Sequence, residues 1–223
     1  MLGILYDIHG VLPALEAVVA EAESEDVSRW LLGGDYASWS PWPLETIERL
    51  RALPNATWIR GNGERWLREP PLDRPDVLEA LSEHDSGLGT EEGWLYSLQE
   101  RYELDGVLYV HGSPLSDVES FAAEPQEGEE RMLVGVRGRT VVFGHSHLQF
   151  RRPGPSGTEL LNPGSVGMPL DGDTRAAWAV RQDGGDFEFR RTEFDVERVA
   201  AAWRKLGGTF GELAARRTER GSD

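Results

Sequence analysis

Short apolar runs that break off in polar clusters alternate along this chain with stretches of helical period. Leu2–Tyr6, Trp30–Leu32, Ala56–Ile59, Val107–Val110 and Thr140–Phe143 read as buried strands. Pro13–Ala22 and Pro43–Leu53 carry apolar residues at three- and four-residue spacing. Their prolines fall near the first turn, where a missing N–H costs nothing, so both predict crossover helices. Residues 73–105 predict a helical stretch with interruptions and a solvated acidic face, and Glu119–Glu130 predicts a solvated helix start. After Phe150 the texture changes. Gly154-Pro155-Ser156-Gly157 and Gly184-Gly185 separate runs of strand formers at Glu159–Leu161, Ala176–Val180 and Phe187–Phe194, which predicts an antiparallel extension. Asp195 is placed to cap a last helix through Leu206, ended by Gly207, and residues 216–223 are expected to fray. The alternation is α/β. With no repeat, low-complexity tract or clear linker, one domain is expected over 1–223, with a helical insertion at about 65–105 and C-terminal strands and helix at about 148–217.

Charge and composition narrow the function. The chain has 39 acidic and 23 basic residues, a net charge of −16, which disfavours long nucleic acids and anionic membranes as partners. It has no cysteine, so a bound metal would need nitrogen and oxygen ligands, and thiol nucleophiles and iron–sulfur centres are excluded. No apolar run approaches the roughly 18 residues of a membrane span. The apolar start lacks a basic flank and runs straight into Asp7 and His9, so a soluble, cytoplasmic protein is expected. The oligomeric state is left open.

Five polar clusters each follow an apolar run: Asp7-Ile8-His9, Gly34-Asp35, Gly61-Asn62, His111-Gly112 and Gly144-His145-Ser146-His147. Loops beyond the carboxyl ends of strands converge in α/β sheets. Four of the five histidines sit in these clusters, which a core-packing role does not readily produce. Alternation along an extended segment would send Asp7 and His9 to one side, and likewise His145 and His147. Seven donors result: Asp7, His9, Asp35, Asn62, His111, His145 and His147. If one carboxylate bridges, they supply four bonds to each of two divalent ions. A polar network without metal would leave buried charge unpaired.

In order and wording these motifs resemble the calcineurin-like metallophosphoesterases, whose motifs read D-x-H, G-D, G-N-H-D/E, H and G-H-x-H. His111-Gly112-Ser113-Pro114 and Asn162-Pro163-Gly164-Ser165-Val166-Gly167 are similar to the small prokaryotic phosphodiesterase-type branch. The resemblance implies a four-layer sandwich of two facing mixed β-sheets flanked by helices. It also implies one ion held by Asp7, His9, Asp35 and His147, and a second held by Asp35, Asn62, His111 and His145. Manganese is the first choice of ion, with iron, zinc or nickel as alternatives. The implied reaction is hydrolysis of phosphodiesters or activated monoesters by a metal-bridging hydroxide, with Asp35 and Asn62 among the catalytic residues. A small phosphate ester or nucleotide is the expected substrate.

The fourth motif departs from the family, with Gly63 where many relatives carry a histidine. A positioned general acid contributes roughly 10²–10⁴-fold, so its loss disfavours poor leaving groups, and His84, the one spare imidazole, is the candidate substitute. Leu170 stands where arginine is common, which leaves Arg60, Arg65, Arg175 or loop amides to orient substrate. Tyr36, Trp39 and Trp42 fit a tryptophan-rich lid packed on its own helix better than a stacking platform. Residues 162–167 either line the site with N–H groups or form a plain turn. Two alternatives stay open: an interaction scaffold on a weakened site, favoured by Gly63, and a protein phosphatase, disfavoured because Ala37-Ser38-Trp39 follows Gly34-Asp35-Tyr36.

Overall fold

The computed structural model describes residues 1–223, the side chain of Asp76 excepted. The chain begins with β1 (Leu2–Leu5), α1 (Leu12–Ser24), β2 (Arg29–Leu32), α2 (Pro43–Arg51) and β3 (Ala56–Trp58). Three helices follow, α3 (Asn62–Trp66), α4 (Pro75–Ser82) and α5 (Glu92–Tyr96), then the hairpin of β4 (Arg101–Leu104) and β5 (Val107–Val110). The remainder comprises β6 (Thr140–Val142), β7 (Gln149–Pro153), β8 (Glu159–Pro163), β9 (Ala176–Arg181), β10 (Phe187–Thr192), α6 (Val196–Leu206) and α7 (Gly208–Arg220).

Among the described residues ten strands form two mixed five-stranded sheets, ordered β10-β9-β1-β2-β3 and β4-β5-β6-β8-β7. In the first, β1, β2 and β3 are parallel and β9 runs antiparallel to β1. In the second, β5, β6 and β8 are parallel, with antiparallel edges β4 and β7. The period of two along each strand assigns side chains to layers. Ile4 and Leu31 meet Val107, Tyr109, Val142 and Leu161 between the sheets. Trp30 and Leu32 turn outward under α1, α2, α6 and α7, while Leu108, Val110 and Val141 turn outward under Phe121, Met132 and Leu133. Among the described residues no helix is long and apolar enough to cross a membrane.

Three stretches differ from the sequence expectation. The helical reading of 73–105 overruns β4, because Asp105 and Gly106 both take positive φ (51° and 76°) and make the two-residue hairpin turn that joins β4 to β5. Glu119–Glu130 is largely irregular, with a short 3-10 helix at Glu129–Leu133. Glu129 is buried there rather than solvated, paired in a fork with Arg152 at 2.6 and 3.0 Å. Residues 216–220 do not fray: α7 runs to Arg220 because Ala214 and Ala215 are fully buried against the core, and Glu219 accepts from Arg204 of α6 at 2.7 and 2.8 Å on the surface. Asp195 does cap α6, accepting from Arg198 N at 2.9 Å.

Candidate metal centre

The carboxyl ends of β1, β2, β3, β5 and β6 open onto the same crevice, and all seven candidate donors lie in the segments leaving them. They do not converge by pleated alternation. Asp7, His9, Asp35, His145 and His147 have φ of 53°, 49°, 55°, 64° and 59°, in the left-handed region that L residues seldom enter. Such conformations cluster at functional sites and persist only where the surroundings over-determine them. Here the loop after β1 is laced to the loop after β2, with Asp7 N donating to Gly34 O (3.1 Å), His9 N to Asp35 O (3.0 Å) and Gly10 N to Tyr36 O (2.7 Å). His145 N donates to Asp7 Oδ2 at 2.9 Å, which ties the two sheets together at the crevice, and Gly144 N to His111 O at 2.7 Å joins the loops after β5 and β6. Gly34 has φ 97°, and a Cβ there would lie 2.6 Å from Gly61 N and 2.8 Å from His111 Nδ1, so only glycine fits.

The side chains sort into two clusters, Asp7–His9–His147 and Asp35–His111–His145, with the ligand atoms of each within 4.8 Å of one another. Asp35 faces both: its Oδ2 is 4.0 Å from His9 Nε2 and its Oδ1 3.5 Å from His111 Nε2. Asn62 Oδ1 lies 3.0 Å from His111 Nε2 and 2.8 Å from His145 Nδ1. Two backbone carbonyls set tautomers. His111 Nδ1 donates to Gly33 O (2.8 Å) and His147 Nδ1 to Met168 O (2.7 Å), which leaves both Nε2 lone pairs aimed inward. His147 Nε2 then meets His9 Nε2 at 3.0 Å, and buried Asp7 Oδ1 has no hydrogen-bond donor. Converging acceptors with no donors between them are what cations require. Turning the Asn62 amide over would instead point its nitrogen at both imidazoles, so the inward oxygen is the orientation a cation selects.

Electrostatics carry the same demand. Burial pushes the Asp7 carboxyl up to about 8. Asp35 is equally buried, but His111, His9 and His145 hold it below the usual carboxylate range. Burial opposes charge on His111, yet Asp35 and Asp7 push it up to about 10, whereas burial lowers His9, His147 and, to about 4, His145. Asp35, and after it Asp7, thus favour positive charge at His111.

Sequence reasoning missed the supports behind these donors. Glu64 is fully buried and accepts from Asp35 N (2.9 Å), Tyr36 N (2.8 Å) and Gly61 N (2.9 Å), fixing the loops that carry Asp35 and Asn62. Burial and the Asp35 charge push its carboxyl up to about 7. Its place at the end of Gly61-Asn62-Gly63-Glu64 was the available signal. Glu64→Gln turns one acceptor into a donor against backbone N–H groups, so thermal or urea unfolding is expected to show a loss of about 1–3 kcal/mol. Manganese affinity, read by titration calorimetry, is expected to fall roughly 10–100-fold. Residues 162–167 neither line the centre with N–H groups nor form a plain turn. They brace it from behind, with Ser165 Oγ donating to Asp7 O (2.6 Å), Gly167 N to the same oxygen (3.1 Å) and Asn162 Nδ2 to Gly144 O (3.0 Å).

The other candidates fall elsewhere. His84 does not line the cleft: its Nε2 meets Gly207 O at 3.1 Å, at the junction of α4 with α7. Arg60 is held by Glu100 (2.6 Å) and Tyr96 O (2.9 Å), Arg65 forks onto Asp117 (2.6 and 2.9 Å), and Arg175 pairs with Asp173 (2.6 Å). Tyr36 is buried, donating to Leu32 O and Ile59 O, and Trp42 lies under the Arg198 guanidinium, but Trp39 borders the centre. Gly63 N donates to Asp35 Oδ1 at 2.7 Å, and a Cβ there would press on that oxygen at 3.0 Å. A cleft of about 500 Å³ opens over the donors, and among the described residues its only imidazoles are His9, His145 and His147.

The chain belongs to the calcineurin-like phosphoesterase superfamily, whose domain matches residues 1–183. It is similar to a metallophosphoesterase of known structure from Sphaerobacter thermophilus, 26% identical, with 99% of this chain and 98% of that one covered and a TM-score of 0.79. A hypothetical protein of known structure from Pyrococcus horikoshii shares the fold over the whole of both chains, at 22% identity and a TM-score of 0.81. An uncharacterized protein of Methanocaldococcus jannaschii is 24% identical over 89% of this chain and 90% of its own length. The superfamily fold implies divalent metal ions, and the two donor clusters suit them.

Proposed function

We propose that the chain is a two-metal phosphodiesterase of small phosphate esters, with manganese as its ions. The observation that carries this reading is the pair of inward-facing donor clusters sharing Asp35. Asp7, His9, Asp35 and His147 would hold one ion, and Asp35, Asn62, His111 and His145 the other. Bound there, divalent ions polarise phosphoryl oxygens and acidify a water. The chain's own residues do the rest. Asp7 and Asp35 contribute −2, so two dications leave the centre at +2, a local charge that attracts a small phosphate anion despite the net −16. Gly33 O and Met168 O orient the His111 and His147 rings with Nε2 toward the centre. Gly63 offers no proton to a departing oxygen, which favours esters whose leaving groups depart unaided.

Initial rates on bis-p-nitrophenyl phosphate and p-nitrophenyl phosphate, with and without manganese, test the proposal. Manganese-dependent release that is faster from the diester is expected. No metal-dependent release from either ester contradicts it, and if ions are nevertheless bound, the outcome favours the scaffold reading that Gly63 suggests.

A further inference from the structure

The superfamily match ends at residue 183, yet the cleft over the donors is walled by elements on both sides of that boundary. Val77 and Leu81 of α4 face it at helical spacing, and so do Phe210, Leu213 and Arg217 of α7. The two helices are stapled where they meet: Glu83 accepts from Thr209 N at 2.8 Å and Phe210 N at 3.4 Å, and His84 meets Gly207 O. Trp39 and Trp66 also line it. Resting on the phosphoesterase reading, we infer that the α4–α7 pair forms a subsite for an aromatic ester arm of the substrate, with Arg217 as the residue that grips its phosphate.

Three observations support this. First, the walls are apolar and partly aromatic within a cleft of about 500 Å³, a size that accepts a planar organic group but is far larger than phosphate alone needs. Second, three residues of the lining keep buried polar donors without a protein partner: Ser38 Oγ, Trp66 Nε1 and Arg217 Nε. Buried donors are normally satisfied, and here their natural partners are acceptors on a ligand. Third, Arg217 brings a guanidinium to the edge of the Asp7–His9–His147 cluster. It lines the same cleft as His9 and His147, and its outer nitrogen is anchored by the Asp223 carboxylate. A fixed cation beside a dication site repels it unless an anion lies between them, and a phosphoryl oxygen is such an anion. Neither Arg60, Arg65 nor Arg175 occupies this position.

Calorimetric binding of three non-hydrolysable probes to the manganese-loaded full chain tests the inference without reference to turnover. Phenylphosphonate is expected to bind at least about tenfold more tightly than methylphosphonate. Leu213→Ser, and independently Leu81→Ser on the other helix, should each bring that ratio within about threefold. Arg217→Met should weaken both probes by roughly 10–100-fold and leave their ratio intact, with Arg217→Lys recovering only part, because a point charge does not replace the fork. Thermal unfolding of each variant establishes that it is folded. Equal affinity of the wild type for phenyl- and methylphosphonate, or a ratio that neither serine variant changes, overturns the subsite. Tighter binding of hexylphosphonate than of phenylphosphonate overturns its aromatic character, and an unaffected Arg217→Met protein overturns the phosphate grip. If the loaded chain hydrolyses no ester and binds none of the probes, the phosphoesterase reading itself falls, and this inference with it.

Discussion

Asp35→Asn is expected to reduce manganese-dependent hydrolysis of bis-p-nitrophenyl phosphate by about 10³-fold or more, the equivalent of the several kcal/mol that metal-centred charge stabilisation supplies. The substitution preserves size and shape, so the effect isolates chemistry. Asp35 is 6% exposed, its two oxygens face different donor clusters, and its backbone is pinned in the left-handed region by Glu64. An amide removes the shared negative charge. It also replaces one acceptor oxygen with an N–H donor, turned either toward His9 or against the Gly63 N–H that donates to Oδ1. Metal content after manganese loading and gel filtration is expected to fall in parallel. A variant that keeps both its ions and its rate would remove Asp35 from the centre of the account.

Manganese is expected to raise the thermal unfolding midpoint of the wild-type chain by about 5–10 °C, and chelation to reverse the shift. At a free metal concentration 100 times the dissociation constant, ligand linkage contributes about 2.7 kcal/mol. For a chain of 223 residues each kcal/mol moves the midpoint by roughly 2–4 °C. The structural basis is local. Asp7 and Asp35 are buried together and the Asp7 carboxyl is driven up to about 8, so the metal-free centre stores repulsion that cations relieve. Asp35→Asn is expected to lose most of the shift, and a surface ion pair such as Arg204–Glu219 should contribute little either way. Scanning fluorimetry with manganese, without it and with chelator measures all three states.

The donors were readable from the chain because each follows a short apolar run, and a strand end in an α/β protein is where side chains from distant segments meet. Asp7, Asp35 and His111 needed nothing more than that. The route by which they meet was not readable. Pleated alternation sends Asp7 and His9 to the same side on paper, yet the structure brings them together through left-handed residues, a conformation imposed by hydrogen bonds to Gly34 O and Asp35 O from a loop nearly thirty positions away. The role of Glu64 is not legible in the chain, because a lone acid after Gly63 carries no period or spacing that announces three backbone N–H partners. Arg217 escaped for a related reason. Its stretch is strongly charged and reads as a frayed end, and only burial of Ala214 and Ala215 against the sheet makes it a helix with a face toward the cleft. The Asp105-Gly106 hairpin, by contrast, had a clear local signature, which the acidic helical pattern before it obscured.

Anomalous diffraction at the manganese edge from crystals of the loaded chain tests the central claim most directly. Two peaks are expected, one among Asp7, His9 and His147 and one among Asn62, His111 and His145, with a carboxylate oxygen of Asp35 next to each. A density map with no peak in the crevice, or with a single peak that Asp35 does not touch, would contradict the account.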